Sequence, residues 1–106
     1  KMEQTIESKE IIDSDGNVII EVVTNNAINY YNKKNDVHRI GGPAIIYRDY
    51  KAGQRWIKNG QYHREDGPAV TTEGQKYLYF LHGEEVSKEE FYRRMLKRRS
   101  EKLKSS

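Results

Sequence analysis

The 106-residue chain contains no cysteine. Disulfide bonds, thiolate nucleophiles and thiolate metal sites are therefore excluded, and the composition fits a reducing compartment. Proline is nearly absent as well, with only two in the chain. Both stand in the same tripeptide, Gly-Pro-Ala, at Pro43 and Pro68. Apolar residues make up only 35% of the chain, and the mean hydropathy is −1.00. No apolar run approaches the ~20 residues that cross a bilayer, so no membrane association is expected. Residues 1–10 (KMEQTIESKE) hold no apolar stretch, so no secretory leader is expected there. The length suits one domain spanning 1–106, too small for a large enzyme with a deep, dry pocket. Eight Tyr, two Phe and one Trp must supply a thin core.

The net charge of +3 conceals a split. Residues 88–106 carry eight basic and three acidic side chains, an excess of five positive charges. Residues 1–87 carry 11 basic and 13 acidic ones, so the body is close to neutral.

An internal repeat organises the middle of the chain. His38-Arg39-Ile40-Gly41-Gly42-Pro43-Ala44 returns 25 positions later as His63-Arg64-Glu65-Asp66-Gly67-Pro68-Ala69. At the same offset Tyr31 answers Trp56, and Asn35 answers Gly60. A partial third copy follows, in which Tyr79 answers Trp56 and Gly83 answers Gly60. Self-similarity at such a period marks stacked supersecondary units.

Each unit reads as a hairpin. Asn59-Gly60 separates two aromatic-rich runs, and a type I′ turn needs φ > 0 at both central residues. Glu73-Gly74, Ala52-Gly53 and Asp15-Gly16 punctuate the chain in the same way. The expected fold is mainly β: an antiparallel meander of stacked hairpin repeats, about seven or eight short strands, closed by one amphipathic helix. Its parts are an N-terminal hairpin at 10–24, hairpin repeats at 28–83 and a basic helix at 87–104. Tyr31, Trp56 and Tyr79 are expected in one aromatic row. In each Gly-Pro-Ala the proline should begin a strand or sit at a bulge. Gly67, and Gly41-Gly42 in the first copy, should supply an unusual φ at a tight corner.

The period changes after residue 86. Ser87-Lys88-Glu89-Glu90 has the form of a capping box. Phe91, Met95, Leu96 and Leu103 follow roughly on one helical face, with Tyr92 beside them. Acidic residues open this helix and basic ones follow, as the helix dipole favours.

The pattern Trp-x-x-Asn-Gly-x-x-His-Arg-x-Asp-Gly-Pro-Ala at 56–69 resembles the MORN-like repeats of bacteriophage and giant-virus proteins. The segment His82 to Phe91 resembles the usual ending of that family. The resemblance covers residues 28–91. It implies a viral or prophage origin, a stack of hairpins and life in the host cytoplasm. It further implies that the protein binds and blocks a host protein or ribonucleoprotein, for instance a defence complex such as a CRISPR effector. The motif residues Tyr31, His38, Arg39, Pro43, Trp56, Gly60, His63, Arg64, Asp66, Gly67 and Pro68 are then structural.

The residues themselves leave several chemistries to weigh. Adjacent imidazoles at His38 and His63 could share a metal or move protons. They could equally form a ladder in which each His bonds a turn carbonyl or stacks on its neighbour, while each Arg pairs with Glu65 or Asp66. Repetition favours the ladder, because catalytic residues rarely repeat with their scaffold. Three histidines spaced 25 and 19 apart are no metal-ligand motif, and no nucleophile elbow or phosphate-cradling loop occurs. No cofactor, metal or enzymatic activity is therefore expected. The sharpest features left are the cations Arg93, Arg94, Lys97, Arg98, Arg99 and Lys102, with Lys104. They suit the phosphates of nucleic acid, an acidic protein surface, or simply a solvated face. Tyr47, Tyr50, Tyr62 and Tyr77 are expected on an open sheet face, as partner contacts or as ordinary cross-strand packing. Open edge strands leave a sheet-edge homodimer available.

Overall fold

A computed structural model describes residues 4–104. Among them ten strands precede one helix: β1 Thr5–Ile12, β2 Val18–Thr24, β3 Ala27–Tyr31, β4 Ile45–Tyr47, β5 Gln54–Arg55, β6 Ile57–Lys58, β7 Gln61–Tyr62, β8 Val70–Thr71, β9 Tyr79–Leu81, β10 Glu84–Val86 and α1 Lys88–Lys104. All strand pairs are antiparallel. Six strands form one sheet in the order β1-β2-β3-β4-β5-β8, and β6-β7 and β9-β10 are separate hairpins. The molecule is flat, 48 × 35 × 18 Å. No helix among the described residues is long and apolar enough to cross a membrane.

The strands outnumber the seven or eight expected because the chain leaves the main sheet at Trp56. Residues 54–58 thus divide into β5, paired with β4 and β8, and β6, paired with β7. The first strand also begins at Thr5, well before residue 10. Residues 5–10 are all exposed. They lack an apolar alternation because backbone pairing with β2, not burial, holds this sheet edge.

The turns follow from the punctuation residues. Asn59 and Gly60 have φ of 50° and 80°, and His82 and Gly83 have 51° and 82°, so both hairpins close through type I′ turns. The first repeat is one residue longer. Its turn runs from Asn32 to Asp36 with Asn35 at φ 71°, a left-handed position that asparagine tolerates.

That extra residue shifts the aromatic row. Tyr30, not Tyr31, is the counterpart of Trp56: Tyr30 N–H donates to Ala44 O as Trp56 N–H does to Ala69 O. His38 N–H and His63 N–H return bonds to Tyr30 O and Trp56 O. No ring contact joins Tyr30, Tyr31, Trp56 and Tyr79 among the described residues. Each of the first two units instead lays its own arginine on its ring, Arg39 on Tyr30 at 4.2 Å and Arg64 on Trp56 at 3.8 Å.

The corner glycines also act differently from expectation. Neither Gly42 nor Gly67 is among the residues with positive φ; Gly41, in the place of Asp66, is. Gly67 leaves room. A Cβ there would lie 3.0 Å from Arg64 Cζ, and one at Gly42 would lie 2.8 Å from Arg39 Cζ. The guanidiniums occupy that space to donate to Pro43 O at 3.2 Å and Pro68 O at 3.1 Å. Pro43 and Pro68 precede β4 and β8 by two residues, and Ala44 and Ala69 after them are fully buried.

The helix closes the open end of the stack. The third unit has no arginine for Tyr79, and α1 presents Phe91 and Tyr92 there, at ring distances of 5.0 and 5.8 Å. Phe91 is fully buried among Tyr79, Leu81, Val86 and Met95. Leu96 and Leu103 lie outside this core, 66% and 71% exposed. The apolar face of α1 is narrower than expected, because Arg98 follows Phe91 and Met95 down the inner face and reaches Glu65 instead of apolar surface.

Candidate functional site

The histidines of the repeat are occupied in joining one unit to the next. Asn59 N–H donates to His38 Nδ1 at 2.9 Å, and His82 N–H donates to His63 Nδ1 at 2.9 Å. The partner is thus an amide of the next turn, not a carbonyl. Each imidazole fixes the first residue of the following type I′ turn, while Val37 O and Tyr62 O accept from Gly60 and Gly83 N–H beside it. The rings of His63 and His82 lie 4.3 Å apart. With Nδ1 accepting, the proton of the neutral His63 ring sits on Nε2, which donates to Glu65 Oε2 at 3.1 Å. Burial pushes His63 below its ordinary value, and the Glu65 carboxylate only partly restores it. Glu65 itself is pulled up by burial but held below the usual carboxylate range by Arg98 and His63.

The arginines are likewise engaged. Arg64 Nε donates to Asp66 at 2.7 Å while its plane covers Trp56. The signature residues are thus consumed by the fold. Among the described residues no group of three His, Asp or Glu side chains is placed to hold a metal ion.

The helix cations divide into two sets. Ser87 Oγ accepts from Glu90 N–H at 3.0 Å, which starts α1. The Glu90 carboxylate turns to Arg94 and Arg93, which hold it below the usual range. Arg94 also lies 3.9 Å from Glu84, and Arg98 Nη1 lies 3.1 Å from Glu65 Oε2. Arg93, Arg94 and Arg98 are therefore neutralised within the chain. Lys97 and Arg99 have no ion-pair partner among the described residues.

Helical spacing sorts the outer surface. Tyr92, Leu96 and Arg99 fall on one stripe at intervals of four and three residues, flanking the buried face; Tyr92 also packs edge-on against Phe91 at 5.1 Å and against Tyr79 at 5.8 Å. Arg93 and Lys97 run beside it. Tyr92 is 43% exposed and Leu96 66%. The sequence pattern predicts Leu96 on the core face, whereas the structure puts it on this mixed apolar and basic stripe. The distinguishing signal is the four-residue spacing of Tyr92 and Leu96, one step out of phase with Phe91 and Met95.

The four candidate tyrosines do not form one surface cluster. Tyr47 is half-buried under Arg55, whose Cζ lies 5.1 Å from its ring. Tyr50 is exposed in a short 3-10 turn at Tyr50–Ala52. Tyr62 packs on Phe80 at 5.0 Å. Tyr77 is exposed beside a groove of about 740 Å³ between the residues preceding β9 and the start of α1. No ring contact joins any two of the four among the described residues.

No protein-family model matches this chain, and comparison with curated proteins and with solved structures finds no significant match.

Proposed function

We propose that the chain is a non-enzymatic viral binding protein, built from MORN-like hairpin repeats, that acts by stoichiometric contact with a host macromolecule. The form that the resemblance implies is inhibition of a defence complex, such as a CRISPR effector, in the host cytoplasm. The repeat stack is the scaffold in this reading, and the outer face of α1 is the contact element. One observation carries it: the exposed Leu96 and the partly exposed Tyr92, whose ring also packs on Tyr79 and Phe91, stand beside Lys97 and Arg99, cations that no carboxylate among the described residues neutralises. An exposed tyrosine and leucine within a basic surface suit a protein partner with an acidic rim around an apolar centre.

Nucleic acid is the alternative target for the same helix. It is favoured less, because phosphates make no use of Leu96 and because Arg93, Arg94 and Arg98 already hold carboxylates.

The test is charge reversal at Lys97 and Arg99. Lys97→Glu with Arg99→Glu should leave the melting temperature nearly unchanged, since exposed charges away from buried features matter by under about 0.5 kcal/mol. Capture of a host partner on the immobilised protein should be lost. Capture that survives nuclease treatment supports a protein target. Capture abolished by nuclease, with a steep linear log–log dependence on salt, would assign nucleic acid instead. Wild-type capture by the double variant would remove the helix from the binding surface.

A further inference from the structure

The two full copies of the repeat differ at one chemically informative position. In the second copy His63 is satisfied on both ring nitrogens, by His82 N–H at Nδ1 and by Glu65 Oε2 at Nε2. In the first copy Asn59 N–H holds His38 Nδ1 in the same way. His38 therefore has the same tautomer, with its proton on Nε2. The residue in the place of Glu65 is Ile40, which offers no acceptor. His38 is only 7% exposed as a residue, but its Nε2–H, unpartnered among the described residues, is not one of the buried unmatched atoms and reaches the solvent of the cleft it lines. This donor is therefore open to water, or to an acceptor that displaces it.

His38 and Ile40 both line a cleft of about 690 Å³ between the turn of the first hairpin and the turns of the two repeats. Three lysines, Lys33, Lys34 and Lys58, stand around it. Asp15 and Asp36 line it as well, so three cations against two carboxylates leave one net positive charge. That balance suits a monoanion better than a dianion. The second copy supplies the chemical precedent, since the group that satisfies the same imidazole edge there is a carboxylate with a cation, Arg98, behind it.

We propose that this cleft binds a small monocarboxylic acid. Its carboxylate accepts from His38 Nε2–H and faces the lysines, in the place that Glu65 fills with its own side chain one repeat later. The site is separate from the outer face of α1.

The experiment follows the imidazole 15N and 1H resonances of the folded protein. Acetate, acetamide, chloride and inorganic phosphate are each titrated at constant ionic strength and at a fixed, mildly alkaline pH. Acetate should shift the His38 ring signals saturably and leave those of His63 in place. Neutral acetamide and chloride should do neither. Ile40→Glu should supply the carboxylate internally and weaken the acetate response at least about tenfold, the equivalent of one charge-assisted hydrogen bond. It should also move the His38 signals toward those of His63. Equal shifts at both histidines, an equal response to chloride, tighter binding of phosphate than acetate, or an acetate response unchanged in Ile40→Glu would each overturn the proposal. Should Ile40→Glu fail to fold, the wild-type titration decides by itself.

Discussion

Gly67→Ala separates the two reasons a glycine can be required. The backbone of Gly67 is not in the left-handed region, so alanine meets no conformational penalty there. Its Cβ, however, would stand 3.0 Å from Arg64 Cζ and 3.2 Å from Nη1. The guanidinium is not free to swing aside. It lies 3.8 Å from the Trp56 ring, donates to Pro68 O at 3.1 Å and meets Asp66 at 2.7 Å. Displacing it forfeits a cation–π contact worth about 0.5–2 kcal/mol and weakens hydrogen bonds that water replaces in part. The expected cost is about 2 kcal/mol, which in a domain of this size lowers the melting temperature by roughly 8–16 °C. Urea and thermal unfolding followed by fluorescence of Trp56, the single tryptophan, would measure it. The decisive arm is the Arg64→Ala background. With the guanidinium gone, Gly67→Ala should be neutral or should stabilise by about 0.4–1 kcal/mol, through reduced entropy of the unfolded chain. An equal loss in both backgrounds would refute the reasoning, because the need for glycine would then lie in the backbone.

Three further outcomes are expected. Phe91→Ala removes a fully buried ring that docks the helix on Tyr79 and Leu81, and should cost about 3–5 kcal/mol in chemical denaturation. Gly60→Val places a β-branched residue at φ 80° in a type I′ turn, and should cost about 1–2 kcal/mol in the same assay, although Asp36 leaves room for the side chain. Stability should fall on acidification. His63 is held below its ordinary value, so the unfolded chain takes up a proton first, and the contribution of the neutral ring is lost as pH drops below about 6.5. Glu65, also held low, adds a second loss below its unfolded value of 4.5. His63→Asn retains an acceptor for His82 N–H and should flatten the upper part of that decline in melting temperature. An unchanged profile would show that His63 is not its source.

What the sequence determined by itself is what depends on neighbours along the chain. Asn59-Gly60 specifies a type I′ turn because both φ values must be positive, and the hairpin forms there. Ser87 and Glu90 specify where α1 begins, and Ser87 Oγ does accept from Glu90 N–H. The 25-residue repeat with turn residues at hairpin spacing was enough for an antiparallel fold with a terminal helix. What only the tertiary structure decided depends on groups distant in sequence. An offset count aligned Tyr31 with Trp56, but the longer first turn gives that place to Tyr30, because main-chain pairing with Ala44 overrides residue counting. Gly67 is needed for the volume of Arg64, which no φ preference encodes. The run of cations in α1 looked uniform, yet carboxylates from Glu65, Glu84 and Glu90 neutralise part of it, and Lys97 and Arg99 are left as the free cations of its outer face. The two histidines looked equivalent as well. Only the packing of Arg98 and Glu65 against one of them, and of Ile40 and an open cleft against the other, makes one a closed joint and leaves the other open to solvent.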